Sequence, residues 1–436
     1  MFKLTNPLPQ QLRDTEKLRN FYREWNLVPY AGNSTASSHR FLSILCDLYD
    51  LSPSQGDCIE SLKSWCFGSN LDLVVNPVEG MVSDPDLVSA EEKKAWGEWM
   101  KSLGVSPVDI LEITKLLFQD YKKTGNAWLI YRETVVGEAK AVSLEFTDSL
   151  KVMFLNTEPD EPKAVVVSND FFAGTWLTEE PKLYRVFPEF TEEENGQRVT
   201  MFHFKNKRDH SDWYGRPDSL QSLFWQFVEW RSTVRTAKIT DSDTTSKGIL
   251  AVQAHHPAGN VASSDGEPDG FSLSTLASAI RKTTTNRGDF QEAESLGFMK
   301  YPHGANPPTM IPLDLNRDYQ WDGMIFSQAS NRIFSAHQWS QLLTGLQRTS
   351  GSIGGNTLID ELITKESGTV APIQRTWERR IKVILDQMAD FSGMEEMKRY
   401  SPRYTDKITK VIEKLRETKK EDATDNSDRS GSDQTQ

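Results

Sequence analysis

The chain has 436 residues, which is enough for about two to four domains with cores of their own. Its 50 basic and 62 acidic residues give a formal net charge of −12, which argues against a protein that adheres to DNA or to anionic lipid. The cysteines Cys46, Cys58 and Cys66 lack CxxC spacing, no apolar run approaches the ~18 residues of a membrane span, and the N-terminus lacks a signal-peptide pattern. We therefore expect a soluble intracellular protein without disulfides, zinc or a membrane segment.

The pattern of the first 215 residues predicts an α+β region in which helices come first and short strands follow. Apolar periodicity indicates helices at 41–51, 57–67 and 82–103. The clearest helix runs from Ser106 to Tyr121, because Ser106 can form a capping box with Asp109 and Pro107 suits the first helical turn. Strands are predicted at 71–75, 126–133, 139–146, 164–168, 183–187 and 199–204.

A long helix is predicted to begin at Pro217, where the missing N–H costs nothing. Its apolar residues recur at helical spacing and are Leu220, Leu223, Phe224, Phe227 and Val228. From Thr236 to Ser246 the sequence is polar, and a short strand follows at 249–252. We expect a buried helix that leaves its core and leads into a separate module.

The sequence pattern at 248–315 predicts a small α/β module inserted between two helices. Its predicted elements are the strand at 249–252, a loop at 253–270, a helix at 272–283 and strands at 298–301 and 310–313. The second helix is predicted at 319–343, and its apolar residues recur every four positions at Trp321, Ile325, Ala329 and Ile333.

A glycine-rich loop at 344–356 precedes the last long helix, which begins near Thr357. Its apolar stripe comprises Ile359, Leu362, Ile363, Val370, Ile373, Trp377, Ile381, Leu385 and Met388. Gly368 and Pro372 interrupt this helix, so we expect a kink there. A further amphipathic helix is predicted from Tyr404 to Leu415, and the polar sequence after Thr418 predicts a disordered tail.

Motifs for catalysis or metal binding are weak. The glycine-rich loop has no Lys at the P-loop position and follows a helix, so a linker or a mobile contact loop is favoured over a nucleotide site. Asp241 and Asp243 resemble a DxD metal motif, but their position favours a solvated helix end. His203 is interpreted as a strand-face residue, and His337 needs no special role. We expect no enzyme activity, cofactor or metal.

The order of several stretches resembles the portal proteins of tailed double-stranded DNA bacteriophages, in the HK97-type group. The resemblance spans roughly residues 55–390. The stretches that carry it are TGNAWLIYRE (124–133), WYGRPDSLQSL (213–223), KGILAV (247–252), SAHQWSQLLTG (335–345) and APIQRTWERR (371–380). The chain departs from the family at Trp339-Ser340, where a Val-Pro-Pro-like turn is common.

The resemblance implies a portal fold with seven parts. These are a wing (1–215), a first stem helix (216–247), a clip (248–315), a second stem helix (316–343), a tunnel loop (344–356), a kinked wing or crown helix (357–400) and a C-terminal helix with a disordered tail (401–436). It assigns Gln347, Arg348, Thr349 and Ser350 to the DNA-facing tunnel loop, and Trp225, Arg231, Arg235 and Arg332 to the stem helices.

The resemblance also implies a function and partners. Portals form closed rings, usually dodecamers, at one capsid vertex of the virion, and they assemble in the host cytoplasm. The implied partners are the terminase large subunit, a head-completion or adaptor protein, the major capsid and scaffolding proteins, and double-stranded DNA that passes without specific binding. Two alternatives remain: a nucleotide- or metal-dependent enzyme acting on nucleic acid, and another capsid or adaptor component.

Overall fold

The computed structural model describes residues 27–28, 30, 37–68, 70–75, 88–155, 163–168, 181–193, 196–207, 213–241, 248–253, 296–301, 315–344, 355–404 and 411. The fold is α+β, as predicted. The chain divides into two compact units, one comprising Met1–Gln226 with Asn331–Gln436 and the other Phe227–Ser330. The second unit is therefore an insertion in the first.

The α-helices of the described residues are α1 (Ser37–Leu51), α2 (Pro53–Phe67), α3 (Ala90–Ser102), α4 (Pro107–Thr124), α5 (Leu223–Asp241), α6 (Leu315–Ala336), α7 (Gly355–Lys365) and α8 (Ala371–Ser392). The predicted capping box of α4 is confirmed, because Asp109 N–H donates to Ser106 Oγ at 3.2 Å and Ser106 N–H donates to Asp109 Oδ2 at 2.8 Å. A second capping box, between Ser89 and Glu92, begins α3.

The strands are β1 (Leu27–Val28), β2 (Leu71–Val75), β3 (Asn126–Val136), β4 (Ala139–Thr147), β5 (Val152–Leu155), β6 (Ala164–Val167), β7 (Lys182–Arg185), β8 (Thr191–Glu192), β9 (Arg198–Lys205), β10 (Gly248–Gln253), β11 (Leu296–Tyr301) and β12 (Tyr400–Tyr404). They form two four-stranded antiparallel sheets in the first unit, with orders β4-β3-β9-β8 and β1-β5-β6-β7. The antiparallel pair of β12 and β2 connects residues 400–404, near the C-terminus, with residues 71–75.

The pairing of β12 corrects one prediction. Tyr404 was expected to begin an amphipathic helix, but it ends β12, where it pairs with Leu71. The residues of β12 alternate between buried and more exposed positions, as in a strand with one covered face. Most of the predicted helix that follows, and the predicted tail, lie outside the described residues.

The main core of the first unit lies where α2, α4, β3 and α8 pack together. Trp377 of α8 lies at its centre, with ring centroids 6.1 Å from Phe67 and 6.0 Å from Phe118. A second cluster packs between the two larger sheets around Trp128 and Phe154, whose ring centroids are 5.1 Å apart. The first unit therefore has a large aromatic interior that fixes β3 and α4.

In the second unit, β10 and β11 pair in parallel from Gly248↔Leu296 to Gln253↔Tyr301. The strands predicted at 249–252 and 298–301 are confirmed. The predicted helix at 272–283 and strand at 310–313 lie outside the described residues.

The predicted buried face of the first long helix is wrong. Phe224 is 71% exposed, whereas the polar residues Ser219, Ser222, Gln226 and Glu229 are at most 1% exposed. Leu220, Leu223, Phe227 and Val228 are only half-buried. Hydrogen bonds set this orientation: Gln226 Nε2 donates to the carbonyl of Ser219 at 3.2 Å and to Ser222 Oγ at 3.2 Å. The apolar face predicted for the second helix fits better, because Ala329 and Ile333 are fully buried. Its predicted end at residue 343 is wrong, because the helix ends at Ala336 and a separate short turn follows at Gln341–Thr344.

The predicted interruption near Gly368 and Pro372 takes the form of a π turn at Glu366–Val370, with α7 before it and α8 after it. Ala371 N–H donates to the carbonyl of Glu366, five residues earlier. Proline lacks the N–H that an α-helix needs, and its ring collides with the carbonyl four residues before it, here that of Gly368. The wider π turn is the local response to this collision.

Candidate functional site

Two of the stretches that carry the family resemblance meet at the point where the chain turns from β9 into α5. The side-chain amide of Asn126 makes two hydrogen bonds to one residue, accepting from Gly215 N–H at 2.7 Å and donating to the Gly215 carbonyl at 3.2 Å. The amide therefore pairs with Gly215 as a neighbouring strand would. We call the cluster of Lys122, Gly125, Asn126, Asn206, Gly215 and Asp218 the joint.

Backbone contacts in the joint leave no room for side chains at its two glycines. A Cβ on Gly125, whose φ is +81°, would lie 2.3 Å from the carbonyl carbon of Arg216. A Cβ on Gly215 would lie 2.0 Å from the Gly125 carbonyl oxygen. Asn206 closes the cluster, because its N–H donates to the Gly125 carbonyl at 2.9 Å. The GNA and YGRP sequences are thus two halves of one packing arrangement.

A largely buried ion pair anchors the segment that leads into α5. Lys122 Nζ lies 2.7 Å from Asp218 Oδ2, and the two side chains are 8% and 24% exposed. Asn206 Nδ2 donates to the other carboxylate oxygen at 2.9 Å. Burial alone raises the pKa of Asp218, but the charge and hydrogen bond of Lys122 outweigh it and hold that pKa well below its usual value. Asp218 is therefore ionised and fixed against α4.

His203 lies beneath the joint as a structural residue. Its Nε2 is 3.0 Å from Asn126 Oδ1, which already accepts from Gly215, so Nε2 carries the proton. Its ring stacks on Trp128 with a centroid distance of 3.9 Å. Burial lowers the pKa of His203 well below its usual value, and the nearby cations Lys205 and Arg380 add to this effect. These contacts agree with the strand-face interpretation over a catalytic base.

The residue that follows α6 is anchored on α2. His337 Nε2 lies 3.0 Å from Gln55 Oε1 of α2, and the ring is 2% exposed. Burial lowers the pKa of His337 to about 3, with Lys122 acting in the same direction and Asp218 against it. His337 therefore stays neutral beside the Lys122–Asp218 pair, and the prediction that it has no special role missed this position.

The departure from the family at Trp339-Ser340 is accommodated locally. Trp339 is 3% exposed, and its Nε1 donates to Ser61 Oγ of α2 at 3.0 Å. Ser61 Oγ in turn donates to the carbonyl of Leu343 at 3.1 Å. Gln338, with φ +55°, makes the turn just before Trp339. The segment that starts α5 and the segment that ends α6 are thus both held on the α2 and α4 pair.

The roles assigned to single residues stay predictions. Gln347, Arg348, Thr349 and Ser350 lie outside the described residues, as does Asp243. Trp225 is half-buried with its ring 6.0 Å from that of Phe224, and Arg231 and Arg332 are exposed. Arg235 and Asp241 belong to α5, but their side chains are outside the described part.

The joint contains residues that periodicity could not find. Lys122 and Asp218 are charged residues, a type that usually faces solvent. They contact each other although they lie 96 residues apart in the sequence. The sequence signal that does exist is the pair of glycines in GNA and YGRP, because glycine is needed where backbones approach closely.

Among the described residues, no group of three or more His, Cys, Asp or Glu side chains is placed to hold a metal ion. None of the described helices is both long enough and hydrophobic enough to span a membrane.

Neither a protein-family model nor a curated protein sequence matches the chain. Three of the solved structures that match the chain come from gene transfer agent particles. One is a chain of the virion of a native particle, with 11% identity, a TM-score of 0.48, and coverage of 86% of this chain and 87% of that chain. Another is from the neck of an empty particle computed with C6 symmetry, with 12% identity, a TM-score of 0.47, and coverage of 83% and 84%. A third is from the neck of a native particle computed with C12 symmetry, with 11% identity, a TM-score of 0.45, and coverage of 89% of both chains.

Proposed function

We propose that this chain is a portal protein of a tailed bacteriophage or a related particle. Copies form a closed ring at one capsid vertex, and DNA enters and leaves through the hole. The observation that carries the proposal is the joint: the GNA and YGRP sequences, on which the resemblance depends, meet through Asn126 and Gly215 where the chain leaves its core for the inserted unit.

The arrangement of the chain supports the parts of this proposal. Two long helices, α5 and α6, come before and after residues 248–315 in the chain, and we assign them to the stem of the portal. We assign the insertion at 248–315 to the clip, which docks the terminase motor and later a head-completion protein. Residues 344–356 are the tunnel loop in this proposal, and Gln347, Arg348, Thr349 and Ser350 approach the DNA.

The charge of the chain suits a conduit. A ring of twelve copies would carry a formal charge of about −144, and duplex DNA carries one negative charge per ~1.7 Å of its axis. Repulsion between like charges acts over roughly one Debye length, ~8 Å at physiological salt. DNA then passes through the ring without adhering to its wall.

Copy number and hydrolysis assays separate this function from its alternatives. The copy number in the particle separates a portal from another capsid or adaptor component, since a portal is present as one ring only. On this proposal, the purified protein is expected to hydrolyse neither nucleotides nor nucleic acid. Metal-dependent hydrolysis that is lost in Asp241→Asn would instead favour the enzyme alternative.

Two changes test the assigned parts. Deletion of 347–354 is expected to change the packaging rate or the retention of DNA, and unchanged values would make this segment a simple linker. Charge reversals within 248–315 that leave the ring intact are expected to block packaging. Normal packaging by such variants would remove the assignment of that region as the motor-docking clip.

A further inference from the structure

The turn after α6 contacts the helix that follows the glycine-rich loop through one carbonyl group. The Gln338 carbonyl oxygen accepts from Lys365 Nζ at 3.0 Å and from Thr369 Oγ1 at 3.1 Å. Gln338 is the one non-glycine residue with positive φ in the described part of the chain, at +55°. Such a backbone conformation is unfavourable for a residue with a Cβ and persists because surrounding contacts hold it.

The two donors lie next to the π turn. Lys365 ends α7, and Thr369 is within the turn itself, between Gly368 and Val370. The buried residues before the turn and at its end fit a widened turn, because Val370 follows Leu362 by eight residues, which at ~100° per residue would be about 80° beyond two full turns of an α-helix. Both side chains are 1% exposed. They share one face because the π turn takes up the additional residue.

The helices on the two sides of the turn are held unequally. Of the α7 side chains that the structure describes, those buried are Ile359 and Leu362. In α8 the buried side chains are Trp377, Ile381, Ile384, Leu385, Met388 and Ala389. Gly368 is exposed, and a Cβ at its position would meet nothing within 4 Å. Steric contacts therefore do not require this glycine, and its contribution is backbone freedom in the middle of the turn.

We propose that the π turn Glu366–Val370 is a hinge between α7 and α8, and that the two hydrogen bonds to the Gln338 carbonyl form a latch that holds α7 in its present orientation. When the latch breaks, α7 moves while α8 stays in the core. Register changes and hinge movements of helices occur on microsecond to millisecond timescales. The inference concerns the chain itself and does not depend on ring formation.

Three threonines of the same helical segment give a matched test. Thr369→Val removes one latch bond with almost no change of shape. Thr364→Val and Thr376→Val remove bonds that stay within their own helices, to the carbonyls of Asp360 and Pro372. The full-length protein and each variant are compared by hydrogen exchange of backbone amides.

Thr369→Val is expected to speed exchange in residues 355–370 about fivefold, the effect of losing one hydrogen bond, and to leave 377–389 unchanged. In Thr364→Val and Thr376→Val we do not expect exchange to become faster in 355–370 while it stays unchanged in 377–389. Gly368→Ala, which stiffens the turn without a clash, is expected to slow exchange in 355–370 both alone and with Thr369→Val.

Two results would overturn the proposal. One result is an exchange rate in Thr369→Val that matches the rates of the two control variants. The same holds if exchange in Thr369→Val becomes faster by the same factor in 355–370 and in 377–389, and either outcome would show that no latch exists. Exchange in 355–370 that Gly368→Ala leaves unchanged would place the movement somewhere other than the π turn. If Thr369→Val lowers the stability of the whole chain, the exchange rate of 355–370 in Gly368→Ala still tests whether the π turn is the hinge.

Discussion

Apolar residues recur at helical spacing in both α8 and the start of α5, but only in α8 do most of them face the core of the same chain. In α8 the apolar stripe faces the core, and Trp377 is 1% exposed. In α5 and the turn before it, the buried positions belong to polar residues such as Ser222 and Gln226, while Phe224 is 71% exposed. Apolar spacing therefore shows that a helix has a face to be covered, but it does not show whether the same chain covers it.

The difference follows from what fixes each helix. Apolar burial is non-directional, so α8 is held by the sum of many contacts. The start of α5 follows the joint, where an ion pair, an amide and two glycines determine the path of the backbone. We predict that, in the proposed ring, a neighbouring copy covers the apolar side of α5 that its own chain leaves exposed.

The largest effect is expected in the core. Trp377→Ala removes a fully buried indole between Phe67, Phe118 and Tyr121, and should lower the free energy of unfolding by about 3–5 kcal/mol. Chemical denaturation of the full chain measures this loss. A loss below about 1 kcal/mol would mean that α8 does not depend on its apolar face.

The next effect is expected in the joint. Lys122→Met removes the cation that lies 2.7 Å from the Asp218 carboxylate and should cost about 3 kcal/mol, at the lower end for buried pairs because Asp218 is 24% exposed. Adding Asp218→Asn should restore part of the loss. Lys94→Met is the matched control, since its pair with Glu98 is exposed and should change stability by less than about 0.5 kcal/mol. Equal losses in both lysine variants would contradict the anchor role.

A methyl group tests the close approach of the two glycine backbones. Gly215→Ala places a Cβ 2.0 Å from the Gly125 carbonyl oxygen and should cost about 2 kcal/mol or more as the backbone shifts. Gly97→Ala in α3 meets nothing within 4 Å and should slightly stabilise the chain. Thermal or chemical unfolding distinguishes the two variants, and a neutral Gly215→Ala would mean that the joint is loosely packed.

His337, which lies beside the Lys122–Asp218 pair, should make the stability of the chain sensitive to acid. Because burial lowers its folded-state pKa to about 3, its contribution is complete above the unfolded pKa of about 6.5 and is lost as pH falls from there toward 3. Between pH 7 and pH 5 this amounts to about 2 kcal/mol. His337→Gln, which can keep a bond to Gln55, should remove that part of the pH dependence.

A second buried group must be separated from this effect. Burial and the nearby Asp148 raise the pKa of Asp120 to about 8, so its contribution to stability is complete below about 3.8 and is lost as pH rises through 8. Because Asp120 is unchanged in His337→Gln, subtracting the two pH profiles removes it. Profiles that run parallel between pH 7 and pH 5 would contradict the assignment to His337.

The smallest effect on folding is expected at the exposed face of α5. Phe224→Ser should change the free energy of unfolding by less than about 0.5 kcal/mol, because the ring is already 71% exposed. It should nevertheless weaken association between copies, which mass measurements at several protein concentrations detect. Unchanged association would mean that this face of α5 is not part of the subunit interface.

Several features of the fold were predictable because short-range rules decide them. The capping box of Ser106 and Asp109 and the buried stripe of α8 follow from spacing alone. The π turn could be placed near Pro372 but not described, because a kink and a widened turn both relieve the same collision. The joint was not predictable, since its partners Asn126 and Gly215 are 89 residues apart and their bonds depend on the completed fold.

The central claim is that copies of this chain close into a ring, and class-averaged electron micrographs of the purified protein test it most directly. We expect closed rings with a central hole and a fixed number of copies. If the folded and unmodified protein appears only as monomers, this result would contradict the proposed function.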